Sequence, residues 1–418
     1  MGRVVGFTFP QSVAYARYDP AVLYVLPNGD NVEYCMDNQN FDENDIDYAV
    51  CSVYVQGRAE FKEFVKKHPN LKIVAGGWEV VADPKFFEPL AWKAVSGVCT
   101  DFYKTIKQEG KFVKGIIDLN HIPRWDLYDP HNNYRPYPGI MPGDLQGSIS
   151  TSFGCPFNCK FCSSHGMSPK MISRPLNVVE KMAEDYLKRY DFDTLFVMDE
   201  NLLALKDRKE RIEIIHSKTN AKIYIFASAN YINEETVKML KDNGVYMVFL
   251  GMEDVSKNYV KNKNLDEACA LLHEHGIYTM LSCMVDPLEA NTDKERKEYL
   301  GKFMERFIEL KAEMVSMNFT LILKGTDLWK EWDHAKHPIY EFDFAKYDTE
   351  HAYIQRNFVK RLKIERDVAK LQWDYFNSEE YQKIRNFYTG DLLQQKIEGL
   401  GRKYCFKKQI EKGKLPGE

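Results

Sequence analysis

From Ser148 onward, short apolar runs alternate with amphipathic stretches, and the alternation keeps one rhythm for some 170 residues. Ser148–Thr151, Thr194–Met198, Lys222–Phe226, Tyr246–Leu250, Ile277–Met284 and Met314–Thr320 read as buried strands. The stretches between them carry apolar residues at helical spacing, as over Leu176–Tyr190, where Val178, Val179, Met182, Tyr186 and Leu187 share a face. Helices are also expected over Asp207–His216, from an Asn233 cap to Gly244, over Leu265–His275 and over Thr292–Leu310. Strand–helix units about 25–30 residues long predict a parallel sheet wrapped by helices. Six units fall short of the eight that close a full barrel, so the pattern predicts a partial (β/α)6 barrel. In such folds chemistry gathers in the loops after the carboxyl ends of strands, where Asp199–Asn201, Ser228–Asn230 and Gly251–Glu253 fall.

The first 120 residues read as a separate small α/β domain. Val4–Phe7, Val22–Leu26, Tyr48–Val53 and Leu71–Ala75 are expected as strands and Arg58–Lys67 as a helix. Gly76-Gly77 closes the last strand where the backbone turns tightly or meets a ligand. Residues 121–145, rich in Pro, Asn, Asp and Tyr, read as a linker, 146–322 as the barrel, and 323–418 as a mainly helical C-terminal region. In that last region helices are expected over Tyr353–Phe376 and Glu379–Phe387, with the aromatic, charged chain covering the barrel mouth. Trp329, Trp332, His334 and His337 stand out there.

Composition narrows the class. Of 418 residues, 44% are hydrophobic and 28% charged, the balance of a soluble globular protein. The net charge of −4 gives no electrostatic case for nucleic acid, and the basic tail around Arg402, Lys407 and Lys412 reads as a solvated end. No apolar run approaches the ~18 residues of a membrane span. The first residues lack a signal-peptide layout, so a cytoplasmic location is expected. Nine cysteines are too few for a disulfide scaffold in a chain of this size. Three crowd into eight residues; Cys35, Cys51, Cys99, Cys269, Cys283 and Cys405 are scattered and read mostly as small buried side chains.

The crowded three form Cys155-Pro-Phe-Asn-Cys159-Lys-Phe-Cys162. Thiolates are soft donors suited to iron–sulfur clusters and zinc. Three thiolates on a four-iron cubane leave one iron open to an outside ligand. The alternative is structural zinc, with His165 completing a Cys3His set. That alternative corresponds to a zinc-stabilised binding protein without catalysis.

Cys155, Cys159 and Cys162, with Phe161 before the last cysteine and a (β/α)6 pattern following, resemble the radical S-adenosylmethionine (SAM) superfamily. Asp47–Val53, Lys72–Gly77, His121-Ile-Pro-Arg-Trp-Asp126, Phe196–Asn201, Gly251–Glu253 and Lys324-Gly-Thr-Asp-Leu-Trp329 are similar to its subgroup with an N-terminal cobalamin-binding domain. The resemblance implies a small Rossmann-like cobalamin-binding-type domain before the barrel. It implies a [4Fe-4S] cluster on the three cysteines, whose open iron chelates the amino and carboxylate groups of S-adenosylmethionine. Reductive C–S cleavage then gives a 5′-deoxyadenosyl radical, fed by an electron donor such as flavodoxin or ferredoxin.

Residue by residue, the resemblance implies Phe161 near adenine, Asp199 and Glu200 toward the methionyl ammonium, and Ser228 and Glu253 at further strand ends, Glu253 on a ribose hydroxyl. Asp199 and Glu200 could equally cap the following segment, Ser228 could serve as a strand-end hydrogen-bonder, and Arg174 resembles a basic residue that follows the cluster loop or could pair with a helix-face acid. Ser52, Gly76 and Gly77 match positions along which a cobalamin tail would run, or are ordinary turn residues. The subgroup's Asp-x-His-x-x-Gly pattern is absent, and no histidine precedes His68. The reactions open at this point are cobalamin-dependent methyl transfer to an unactivated centre, and cobalamin-independent epimerisation, cyclisation or rearrangement. Cys283 is the cysteine to consider as a hydrogen-atom donor, against the reading of an inert buried thiol. No catalytic residue is singled out.

Overall fold

The computed structural model describes residues 2–9, 20–35, 41–129, 145–256, 263–289, 292–337, 351–354 and 357–387. Its strands are β1 (Arg3–Thr8), β2 (Val32–Cys35), β3 (Ile46–Ser52), β4 (Ile73–Gly76), β5 (Lys93–Ser96), β6 (Phe112–Lys114), β7 (Gln146–Ile149), β8 (Ser152–Phe153), β9 (Ile172–Ser173), β10 (Thr194–Val197), β11 (Lys222–Ala227), β12 (Val245–Gly251), β13 (Tyr278–Val285) and β14 (Met314–Phe319). Two compact units emerge, one from residues 1–135, 150–191 and 322–347, the other from 136–149, 192–321 and 348–418.

The first unit is built on a six-stranded parallel sheet in the order β2-β1-β3-β4-β5-β6. The chain starts inside the sheet, adds β2 on one side and then winds outward on the other, so the connections change direction between β1 and β3. Right-handed crossovers then place helices on both faces, as in doubly wound Rossmann-like folds, and ligand crevices open at the carboxyl ends beside such a switch. Alternate strand residues Val5, Phe7, Ala49, Cys51, Ile73 and Ala75 enter one buried core with Phe61 and Phe64 of the helix Arg58–Lys67. That helix stands where the sequence places it.

The expected strand Val22–Leu26 is a 3-10 helix over Pro20–Tyr24 instead. A run this short is buried either way; here Val25 and Leu26 both donate backbone N–H groups to the Val22 carbonyl, and Leu26 packs on Gly6. β2, β5 and β6 are further strands of only three or four residues, too short to show a strand period in the sequence.

In the second unit six parallel strands run in strict order, β7-β10-β11-β12-β13-β14. Every crossover advances the same way, so right-handed connections put every helix on one face, and the sheet curls with the other face inside. This is the partial (β/α)6 barrel. Asn233 caps its helix by accepting from Thr236 N at 2.9 Å, and Thr292 and Glu295 form a capping box on Asp293–Glu309.

The C-terminal helix Phe358–Phe376 starts later than expected, capped by Asn357. It does not cover the barrel mouth. Its stripe Ile364, Val368, Ala369, Tyr375 and Phe376 is buried, Asp367 pairs with Arg296 at 2.6 Å on the outer helix Asp293–Glu309, and the Tyr375 hydroxyl donates to Ala312 O at 2.6 Å, just before β14. An amphipathic helix buries its apolar stripe, and here the surface available is the outer helix and the amino end of β14. The basic tail and Cys405 lie outside the described residues. No helix among the described residues is long and apolar enough to cross a membrane.

Candidate active site

The cysteine loop belongs to the first unit. The two-residue ladder Ser152↔Ser173, Phe153↔Ile172 closes its neck. Gly154 opens the loop at φ 79°, and a side chain there would meet Lys170 O at 2.6 Å and Ser168 O at 2.8 Å, so only glycine fits. A turn from Cys162 N to Cys159 O at 2.9 Å brings those two residues onto one bend, and the helix Ser164–Met167 follows. Cys155, Cys159 and Cys162 are all half-buried, sheltered yet reachable, as are Phe161 and His165. Among the described residues no three His, Cys, Asp or Glu side chains are gathered round a point that one metal ion could occupy. The donor set, three thiols spread over one loop, suits a cluster that offers each thiolate its own iron.

Arg174 leaves the neck of this loop. It is fully buried, its guanidinium donating to His121 O at 2.5 Å and Leu119 O at 3.3 Å and lying 5.3 Å from the Phe153 ring centre. Its guanidinium thus binds backbone carbonyls of the segment that enters the linker. His121 is buried beside it; burial, then the neighbouring Arg174 charge, lowers its pKa to about 4.

The motif Lys324–Trp329 explains itself once folded. Leu328 N donates to Lys160 O at 2.7 Å, Lys160 pairs with Glu331 at 2.8 Å, and Thr326 caps the short helix Asp327–Glu331 through Trp329 N. At its other end Lys324 pairs with Asp83 at 3.1 Å, and Gly325 sits against Ala82 and Trp78. Asp83 also meets Arg58 at 3.2 Å, and Arg58 closes on the buried Glu79, whose pKa burial raises. The Trp78 ring leaves no room for a side chain at Gly166, four residues past Cys162. The motif therefore grips both the middle of the cysteine loop and the helices that follow β4. Trp329, His334, Trp332 and His337 pack on one another, with ring centres 4.6 Å apart for Trp329–His334 and 5.7 Å for Trp332–His337.

Ser52 and Gly76 are register partners at the carboxyl ends of β3 and β4. Gly77 has φ 100°, and a side chain there would strike Val53 O at 2.9 Å, so its glycine is a backbone requirement. Gly76 differs: a Cβ there would find only Val95 O, at 3.9 Å, which leaves room for something to approach the backbone. His68 ends the helix after β3, at the amino edge of the sheet, and bonds Glu43.

In the second unit the expected strand-end residues all stand at carboxyl ends. Asp199 follows β10 and is fully buried; Glu200 is half-buried. Asn201, not singled out by itself in the sequence, accepts from Ser228 N at 3.2 Å and so ties β10 to β11. The Ser228 hydroxyl accepts from Asn230 N at 3.4 Å, capping a 3-10 turn. Glu253 has φ 64°, unusual for a non-glycine residue, and strain of this kind is a mark of functional positions. Its backbone is pinned, Glu253 N donating to Ser282 O at 3.0 Å and Glu253 O accepting from Met284 N at 3.2 Å. Next to it Asp254 accepts from Tyr299 Oη at 2.9 Å and Ser256 N at 2.7 Å. This network has no sequence signature, because its members lie far apart in the chain. Cys283 is wholly buried on the aliphatic face of β13, opposite Ser282 and Met284, and burial pushes its thiol well up.

A parallel six-stranded barrel whose first strand is followed by a cysteine-rich loop with this spacing defines a class, and residues 149–303 fit the model of the Radical SAM superfamily. That segment is a radical SAM domain. No curated protein is similar to it in sequence. Among solved structures it is similar in fold to the radical S-adenosylmethionine methyltransferase TsrM from Kitasatospora setae with cobalamin and [4Fe-4S] cluster bound, at TM-score 0.55 and 16% identity over 78% of this chain and 77% of that one. It is also similar to the cobalamin-dependent S-adenosylmethionine radical enzyme OxsB with aqua-cobalamin and S-adenosylmethionine bound, at TM-score 0.59 and 15% identity over 92% of this chain and 70% of that one.

Proposed function

We propose that the chain is a cobalamin-dependent radical SAM methyltransferase acting on an unactivated centre. The observation that carries this reading is the presence, in one chain, of a doubly wound sheet open at Gly76, a cysteine loop that offers three half-buried thiols, and a six-stranded parallel barrel. Likeness in fold to TsrM and OxsB supports it.

In this reading Cys155, Cys159 and Cys162 hold the [4Fe-4S] cluster. When bound, the cluster with S-adenosylmethionine supplies one-electron cleavage of a sulfonium C–S bond. The protein's own part is to hold, orient and shield. Asp199 and Glu200 offer carboxylates to the methionyl ammonium, and Glu253 offers two acceptor oxygens to ribose hydroxyls. Phe161 offers a ring to adenine. Ser228 contributes chiefly by capping its turn, with Asn201 behind it. Ser52, Gly76 and Gly77 border the path of the cobalamin tail, and a flavodoxin or ferredoxin supplies the electron.

Anaerobic reconstitution tests the reading in stages. Iron and acid-labile sulfide should each approach four per chain, and one equivalent of zinc without sulfide would end the cluster assignment. Hydroxocobalamin should stay with the protein on gel filtration and be lost from Gly76→Leu. Methyl transfer should release S-adenosylhomocysteine beside 5′-deoxyadenosine; 5′-deoxyadenosine alone would replace methylation by epimerisation, cyclisation or rearrangement.

A further inference from the structure

The two faces of the barrel sheet are filled differently. Leu195, Ile225, Val248 and Leu281 lie on one face and are wholly buried, as the helix-covered side of a parallel sheet requires. On the inward face, burial divides the side chains into a closed lower layer and an open upper one. The lower layer, with Tyr224, Met247, Tyr278 and Met280, is buried and fills the barrel. The layer above it is left open by the described residues: Phe196, Phe226, Phe249, Ser282 and Met284 on interior strands, and Asn318 on the edge strand β14, are all partly exposed near the carboxyl ends.

This upper layer is chemically divided. On β10, β11 and β12 three phenyl rings meet edge to face, Phe196–Phe226 at 4.7 Å and 82°, Phe226–Phe249 at 4.9 Å and 84°. Phe196 is flanked by Tyr224, its register partner on β11, stacked at 4.3 Å and 6°. Apolar rings left half-open on an interior face mark a ligand site, since burial there would otherwise be favourable. On β13 and β14 the same layer turns polar and polarisable, with Ser282, the Met284 thioether and Asn318. Asn318 Nδ2 donates to Ser316 O at 3.3 Å and Ser316 Oγ at 3.2 Å, which fixes the amide and leaves Oδ1 as an acceptor.

We infer that this layer is the floor of the substrate site, and that the substrate presents a flat aromatic ring with a hydrogen-bond donor at its rim. The ring lies on Phe196, Phe226 and Phe249, with its edge against Met284 and its donor toward Asn318 Oδ1. Edge-to-face packing favours an aromatic ring over an aliphatic one of equal size, and a thioether adds to that preference. The inference rests on reading the barrel as the active site, and it names the substrate class for that site.

The probe is 2-naphthol, whose own fluorescence reports binding, with 2-methoxynaphthalene as the partner lacking a donor. Reconstituted protein saturated with S-adenosylhomocysteine should bind 2-naphthol saturably, at one per chain and more tightly than 2-methoxynaphthalene. Phe226→Ala/Phe249→Ala should weaken binding roughly tenfold or more. Phe226→Tyr, which keeps the ring, should hold binding within roughly twofold, and Asn318→Leu should abolish the preference for naphthol. Unchanged binding by a folded double alanine variant would overturn the inference. So would displacement of naphthol by S-adenosylhomocysteine, which would assign the floor to the adenine. Iron and sulfide content of the same preparation separates the two claims: naphthol binding without a cluster removes the enzymatic reading alone, and a cluster without naphthol binding removes this one alone.

Discussion

The backbone N–H of Leu328 donates to the carbonyl of Lys160 at 2.7 Å, across 168 residues of sequence, at the point where the cysteine loop bends between Cys159 and Cys162. A tether from so distant a segment helps to set where the loop's thiols stand.

The tether can be separated from the charge beside it. Glu331→Gln breaks an exposed ion pair with Lys160 and should cost under ~0.5 kcal/mol, with iron retained. Leu328→Pro removes the donor and should leave a folded protein that loses iron on desalting. Equal iron in both variants, measured colorimetrically after gel filtration, would show that the bond does not hold the loop.

Arg58 and Glu79 are 4% and 2% exposed and closed on each other. Arg58→Met strands a buried carboxylate and should destabilise by about 3–5 kcal/mol in urea unfolding. Glu79→Leu placed on top of it should recover most of that loss, because the unpaired charge is then gone. A double variant no more stable than Arg58→Met would argue against the pair as the cause.

His121 carries a pH signature. Burial and Arg174 lower its pKa from 6.5 to about 4 in the fold. As pH falls below 6.5 the unfolded chain takes up a proton that the folded chain refuses, so stability is lost on acidification between those values. Between pH 7 and pH 5 the loss should be about 2 kcal/mol, and His121→Gln should flatten it. A wild-type and a variant slope that coincide would contradict the assignment.

Glu253 sets stability against binding. Its φ of 64° suits glycine, so Glu253→Gly should raise stability by up to about 1 kcal/mol. On the proposed role, the same change should weaken S-adenosylmethionine by roughly tenfold in equilibrium binding. Unaltered affinity in the stabilised variant would take Glu253 out of the nucleoside site.

The barrel and the cysteine loop were legible because both are local. A strand–helix period and three thiols within eight residues need no knowledge of what lies across the fold. The same locality explains the helix Arg58–Lys67 and the Asn233 and Thr292 caps, each decided by neighbours within one turn. It also explains the error at Val22–Leu26, where five apolar residues satisfy strand and 3-10 helix alike.

What the chain alone determined, then, is the class of chemistry: soft donors at a fixed spacing, opening a run of parallel strands. Tertiary structure decided which residues serve it. Lys324 reaches Asp83, Arg174 reaches the carbonyl of His121, and three phenylalanines from three strands share one half-open layer. These are contacts between distant segments, set by strand register and by the need to satisfy buried charge, and neither is written in any local stretch of sequence.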